Sequence, residues 1–217
     1  MKINNVGQLS SVFSRFILEL RDVNIQKDRM RFRRNIERIG EIFAYEISKI
    51  MKYEEKIITT PLGKSVEKII CYKPVLATIL RAGIPLHQGL LNYFDDSDNC
   101  FIAAYRKGND EGGFEIKHDY ISSPSLEDKV VILSDPMLAS GKSMVTSVEN
   151  ILTKGNPKHI HIVSVIASSD GIEFLKSNLP VNNCTLWIGA EDEEMTSQSY
   201  IVPGLGDAGD LSFGKKV

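Results

Sequence analysis

The sequence predicts an α/β fold: a central parallel sheet flanked by helices, preceded by N-terminal helices and accompanied by a small hood. Two observations carry this reading. Short apolar runs alternate with helical segments, the pattern of strands joined by helical crossovers. Three chemistry-bearing residues, Arg81, Arg106 and Asp135, each follow or end one of those runs, and ligands of such sheets gather at the carboxyl ends of the strands.

In chain order, Leu9, Val12, Phe13, Phe16, Ile17 and Leu20 make one helical stripe, and Phe32, Ile36, Ile39, Phe43, Ile47 and Ile50 a second. Arg29, Arg31, Arg33, Arg34 and Arg38 cluster on the second helix among Glu37 and Glu41. That mixture reads first as a paired, solvated surface and second as a subunit or effector contact. Strands are expected at Val75 to Leu80, Phe101 to Tyr105, Val130 to Leu133, Ile160 to Ala167 and Thr185 to Ile188. Helices are expected near Pro85 to Tyr93, Ser143 to Lys154 and Gly171 to Ser177, and Phe114 to Ile121 reads as a flap or hairpin. One domain, 1–217, is the economical division, with helices over 1–55, the core sheet over 74–190 and a distinct C-terminal segment over 191–214.

The most informative stretch is VVILSDPMLASGKS, Val130 to Ser143. An apolar strand runs into Asp135, then into a small-residue loop that opens a helix. There the first backbone N–H groups lack intrahelical partners and the helix dipole favours negative charge. Ser140 and Ser143 add hydroxyl donors. PMLASGKS misses the Walker A pattern because Pro136 stands where that loop needs Gly. Asp135 would also repel a triphosphate, whereas it suits the hydroxyls of a ribose phosphate held by the loop. An ordinary capped strand-to-helix turn is the competing reading.

A second segment, YIVPGLGDAGDLSFG from Tyr200 to Gly214, is dense in glycine and carries Asp207 and Asp210. Ordering Gly204, Gly206 and Gly209 costs much conformational entropy, while Tyr200, Ile201, Leu205 and Phe213 argue against disorder. Accessible main-chain N–H and C=O groups can read the edge of a small planar amide, and a nucleobase is such an object. Tyr200 reads as a packing residue and Asp210 as a turn or cap residue.

Together with ILRAG at Ile79 to Gly83, these two segments resemble the uracil phosphoribosyltransferase family. TPLG at Thr60 to Gly63 and the pair Tyr105-Arg106 add to the resemblance, which runs from about Gln8 to Gly214. It implies a type I phosphoribosyltransferase fold and transfer of phosphoribosyl from phosphoribosyl pyrophosphate (PRPP) to N1 of uracil, giving UMP in pyrimidine salvage. It assigns Asp135, Pro136, Met137, Leu138, Ala139, Ser140, Gly141, Lys142 and Ser143 to the donor's phosphate and ribose. Arg81 and Arg106 fall to the pyrophosphate, which suits their permanently charged forks. Ile201, Gly206, Asp207 and Ala208 fall to uracil, with Asp207 also toward the ribose, so that Arg81, Arg106, Asp135 and Asp207 form the expected catalytic set. For Arg106, beside the polar KGNDEGG run, a solvated loop charge is the alternative.

The family pattern is broken where Ser140 replaces Thr, where Lys142 replaces a small residue, and where MTSQS, Met195 to Ser199, replaces an Asn-Glu-His-Gly run. Lys142 either adds a cation to the phosphate site or points to solvent, and a positive φ there would be strained. The resemblance further implies Mg²⁺ carried mainly on PRPP, a homodimer or higher homo-oligomer, and GTP activation in some members. A non-catalytic regulator of the same fold, binding nucleotide or RNA, is the alternative function.

Composition fits a soluble enzyme: 217 residues, 42% hydrophobic and 25% charged, support one sizeable core. A net charge of −2 gives nucleic-acid binding no electrostatic support. Cys71, Cys100 and Cys184 have no C-x-x-C spacing and, with 4 scattered histidines, no metal signature, so they read as thiols of a reducing cytoplasm. No apolar run approaches the ~20 residues of a membrane span, and the N-terminus lacks a signal-peptide pattern.

Overall fold

The computed structural model describes residues 1–108 and 114–216, leaving aside the side chains of 104–119. Strand β1 (Lys2–Asn5) is followed by α1 (Val12–Arg21), α2 (Arg29–Ser48), the hairpin β2 (Tyr53–Thr60) and β3 (Gly63–Ile70), then β4 (Val75–Leu80), α3 (Ile84–Leu91), β5 (Asn99–Gly108) and β6 (Phe114–Ser122). The second half runs β7 (Val130–Ser134), β8 (Met137–Leu138), α4 (Lys142–Leu152), β9 (His159–Ser168), α5 (Ser169–Asn178), β10 (Cys184–Asp192), β11 (Glu194–Met195), β12 (Ile201–Val202) and α6 (Ala208–Phe213).

The main sheet has the order β1-β10-β9-β7-β4-β5-β6, with β8 pairing β9 off this path. Every pair is parallel except β5 with β6. Helices cover both faces. One core cluster joins Leu76, Ile132, Val163 and Trp187 to α1, α2 and α3 through Phe13, Ile36, Phe43 and Leu86. The other joins Ala77, Val131, Leu133 and Ile162 to α4 and α5 through Met144, Val148, Ile172 and Leu175. Burial on both faces explains why the central strands read as continuous apolar runs.

The N-terminal helices are narrower in their apolar faces than the sequence suggests. Ser11 caps α1 in a capping box with Ser14, so Leu9 lies ahead of the helix and is 78% exposed. Ile50 lies beyond α2 and is also exposed. The arginine cluster is partly internal: buried Glu19 accepts from Arg31 (2.9 Å), Arg15 (3.1 Å) and Asn35 (2.8 Å). Hydrogen bonds from Asn35 and Arg31 hold that carboxyl down at about 2. Strand β1, the β2–β3 hairpin, β11 and β12 have no counterpart among the strands expected from the sequence. The hairpin forms its own two-stranded sheet, whose mostly exposed residues follow no alternating pattern.

A buried histidine makes stability depend on pH. His161 on β9 accepts a hydrogen bond at Nδ1 from Trp187 Nε1 (3.3 Å) and is 4% exposed. Burial first, and His159 second, push its pKa down to about 4. An unfolded histidine protonates near 6.5. The unfolded chain therefore gains a proton that the folded one refuses, and this contribution is full above pH ~6.5 and lost between there and about 4, up to about 3 kcal/mol. Urea unfolding at pH 7.5 and pH 5 should show His161→Gln losing less stability than wild type over this interval. Equal losses would mean that His161 does not set the slope.

Candidate functional site

Two loops and the C-terminal segment converge at the carboxyl ends of β4 and β7, around a crevice of about 440 Å³. The first loop follows β4. The Leu80–Arg81 peptide is cis, and the Arg81 guanidinium reaches α6, where Nη2 lies 3.3 Å from Asp210 Oδ1 and 3.3 Å from the Gly214 carbonyl. Arg81 Nε is buried with no hydrogen-bond partner among the described residues.

The second loop follows β7 and is lashed to β9. Asp135 N–H donates to Val163 O (3.0 Å), Ser164 Oγ donates to Asp135 O (2.8 Å), and the Pro136 carbonyl accepts from both Val165 and Ile166. Met137 and Leu138 then run parallel to Ile166 and Ala167, and Ser168 Oγ donates to Ala139 O (2.6 Å). Gly141 ends the loop at φ 76°, a left-handed conformation that glycine adopts without a Cβ clash. Helix α4 begins at the next residue with no side chain capping it, so its first N–H groups are left for an anion.

The C-terminal segment is anchored from the far side. Arg21 forms a bidentate pair with buried Asp192 (2.7 and 2.8 Å) and also donates to Gly204 O (3.0 Å), while Gly204 N–H donates to Asp192 Oδ2 (3.0 Å). Asp207 Oδ1 accepts from Asp210 N–H (2.8 Å), making Asp207 the cap of α6. The turn between β11 and β12 is closed by Thr196 N–H donating to Tyr200 O (2.8 Å), with Ser199 at φ 63°.

Of the residues singled out from the sequence, Arg81, Asp135, Met137, Leu138, Ala139, Ser140, Gly141 and Ser143 line the crevice together with Ile201, Gly206, Asp207 and Ala208. Pro136 is buried beneath the loop and Lys142 is exposed on the first turn of α4; neither lines it. Lys142 is helical, the positive φ falling on Gly141 instead. Arg106 is on β5 opposite Ile116, but its side chain and that of Tyr105 lie outside the described residues.

Two expectations change. Tyr200 does not pack in the core: it is 45% exposed and faces the crevice beside Gln198 and Ser199. Asp210 leaves the capping to Asp207 and pairs with Arg81 instead. Lys216 also lines the crevice, a residue the sequence reading passed over. Gln198 and Ser199, which also line the crevice, belong to the Met195–Ser199 run that departs from the family pattern. Among the described residues, no group of three His, Cys, Asp or Glu could hold a metal, and no helix is long and apolar enough to cross a membrane.

A small-residue loop that follows a strand-terminal Asp, opens an uncapped helix and faces an arginine on the neighbouring strand's loop is the arrangement expected of a phosphoribosyltransferase of the type I fold. The chain superimposes at TM-score 0.86 on a structure titled AQ2163 protein from Aquifex aeolicus, 25% identical, with 99% of each chain covered. The sequence carries the class to a family. The uracil phosphoribosyltransferase family model matches residues 12–215. A uracil phosphoribosyltransferase of Porphyromonas gingivalis is 54% identical over 217 residues, 100% of both chains. One of Methanothermobacter thermautotrophicus is 37% identical over 187 residues, 85% of this chain and 84% of the relative. The chain belongs to the uracil phosphoribosyltransferase family, and its activity is phosphoribosyl transfer to uracil.

Proposed function

We propose that the crevice joins uracil N1 to the anomeric carbon of PRPP, with the residues gathered there in the following roles. The observation that carries this reading is the meeting of Arg81, the Asp135 loop and the 201–208 segment around one volume of about 440 Å³, within the range of small-molecule sites. The α4 N-terminus, Ser140 and Ser143 hold the 5-phosphate, and Asp135 accepts from the ribose hydroxyls. Main-chain groups at Ile201, Gly206 and Ala208 meet the uracil edge. Rigid backbone partners reject cytosine because its amino group leaves buried polar atoms unpaired. Asp207 faces the ribose.

As the new bond to N1 forms, the bond from the anomeric carbon to the pyrophosphate oxygen breaks and the N1 proton is released to solvent; in the transition state positive charge develops on the sugar and negative charge on the leaving group. Asp207 and Asp135 offset the first; Arg81, with Arg106 from β5, offsets the second. The family generally uses Mg²⁺ with PRPP. The crevice suits an ion carried in on the donor, because Asp135 and Asp207 line it without forming a dedicated cluster, and Mg²⁺ tolerates few protein ligands beside phosphates. Bound there, it would supply charge neutralisation at the pyrophosphate. The finer reading includes a homodimer or higher homo-oligomer in the cytoplasm, acting in pyrimidine salvage, with GTP as an activator.

The test is Mg²⁺-dependent UMP formation from uracil and PRPP, run beside orotate, cytosine and hypoxanthine, with and without GTP. Uracil-only turnover is expected. Folded protein that binds PRPP yet turns over no base would favour the non-catalytic regulator.

A further inference from the structure

We propose that Asp210 is a positioning residue for Arg81, linking the helix that carries the base segment to the arginine that meets the pyrophosphate. This rests on the donor role of Arg81 given above. Asp207 caps the short helix α6 and Asp210 lies on its first turn. The first faces the crevice; the second turns its carboxylate to the guanidinium, 3.3 Å from Nη2. Arg81 otherwise has one described side-chain contact, the Gly214 carbonyl on the same Nη2, also at 3.3 Å. Both contacts hold one nitrogen. Nη1 has no hydrogen-bond partner among the described residues and is left for an incoming anion.

The pair's geometry is that of a tether rather than a lock. Charge-assisted N–H···O contacts are strongest near 2.7–2.9 Å, and both side chains are about a third exposed, at 37% and 32%. A weakly held carboxylate orients the fork without outcompeting a polyanion. It does, however, place a negative charge beside the pyrophosphate, so two effects oppose each other: orientation of Arg81 favours donor binding, and repulsion opposes it. They separate by substitution. Asp210→Asn removes the charge and keeps an acceptor in the same place; Asp210→Ala removes both. The Asp210 main chain, whose N–H donates to Asp207 and whose carbonyl accepts from Gly214 N–H (2.8 Å), is unaltered in either variant.

Steady-state kinetics with PRPP and uracil varied in turn give the readout. Positioning predicts that Asp210→Ala raises the KM for PRPP about five-fold, that Asp210→Asn stays within about two-fold of wild type, and that the uracil KM is unchanged in both. In an Arg81→Ala background the Ala and Asn variants should become indistinguishable. If Ala and Asn behave alike in the wild-type background, the charge rather than the orientation matters and the proposal falls. It falls equally if the Asp210→Ala effect persists without Arg81, or if Arg81→Ala leaves kcat/KM for PRPP unchanged; the last result would also remove the donor role of Arg81. Normal wild-type turnover with unaltered Asp210→Ala kinetics would overturn this inference alone.

Discussion

Arg81→Ala should lower kcat/KM for PRPP by about 10²–10³, the loss typical of removing a donor aimed at developing charge. Among the described residues, Arg81 and Lys216 are the cationic side chains that line the crevice, and only an arginine offers a planar fork to phosphate oxygens. Arg81→Lys should recover part of the loss, since the charge returns without the fork. The side chain is 37% exposed, so the fold should survive either change. The uracil KM should hold, because the proposed base contacts are main-chain groups at Ile201, Gly206 and Ala208. A loss below about three-fold would move the pyrophosphate elsewhere in the site.

The parts legible in the sequence are those in which one residue's chemistry suffices. Strands β4, β7, β9 and β10 announce themselves because both faces are buried and polar residues are excluded from most positions. The phosphate loop is legible because a strand, an Asp and a run of small residues admit few other uses. What stayed hidden depends on contacts between distant residues. Arg21, Asp192 and Gly204 meet across more than 170 positions of sequence, at separations of 171 and 183, and none of the three is unusual by itself. Strand β1 is four residues, KINN, with no buried position, so it is recruited by β10 rather than specified by its own pattern. Asp210 reads from the sequence as a turn or cap residue; Asp207, three residues earlier, caps α6 and leaves the Asp210 carboxylate for Arg81. Tyr200 reads as a packing aromatic because its ring is apolar, and its place beside the crevice follows from the fold of the 196–200 turn, which the sequence does not specify.

A glycine outside the crevice should also control it. Gly171 is on the first turn of α5, and a Cβ there would stand 2.1 Å from the Ala139 carbonyl oxygen and 3.0 Å from that of Leu138. Both belong to the phosphate loop's backbone, which cannot rotate aside as a flexible side chain would. Helix α5 is held by buried Ile172 and Leu175, and the loop's beginning by the Asp135 and Pro136 bonds to β9. The strain therefore falls on the loop's far end, from Ala139 to Gly141, where the phosphate is proposed to sit. Gly171→Ala should destabilise the fold by about 1–3 kcal/mol, as overpacking does, against at most about 1 kcal/mol gained in helix propensity. It should also raise the KM for PRPP at least about ten-fold, because loop displacements of this kind misplace bound substrate. Gly89→Ala is the matched control: its Cβ would meet Glu37 O at 2.0 Å, between α3 and α2, away from the crevice residues. It should lose stability and keep its PRPP KM. If both variants, measured as folded protein, leave that KM unchanged, the Gly171 contact supports the fold and not the phosphate site.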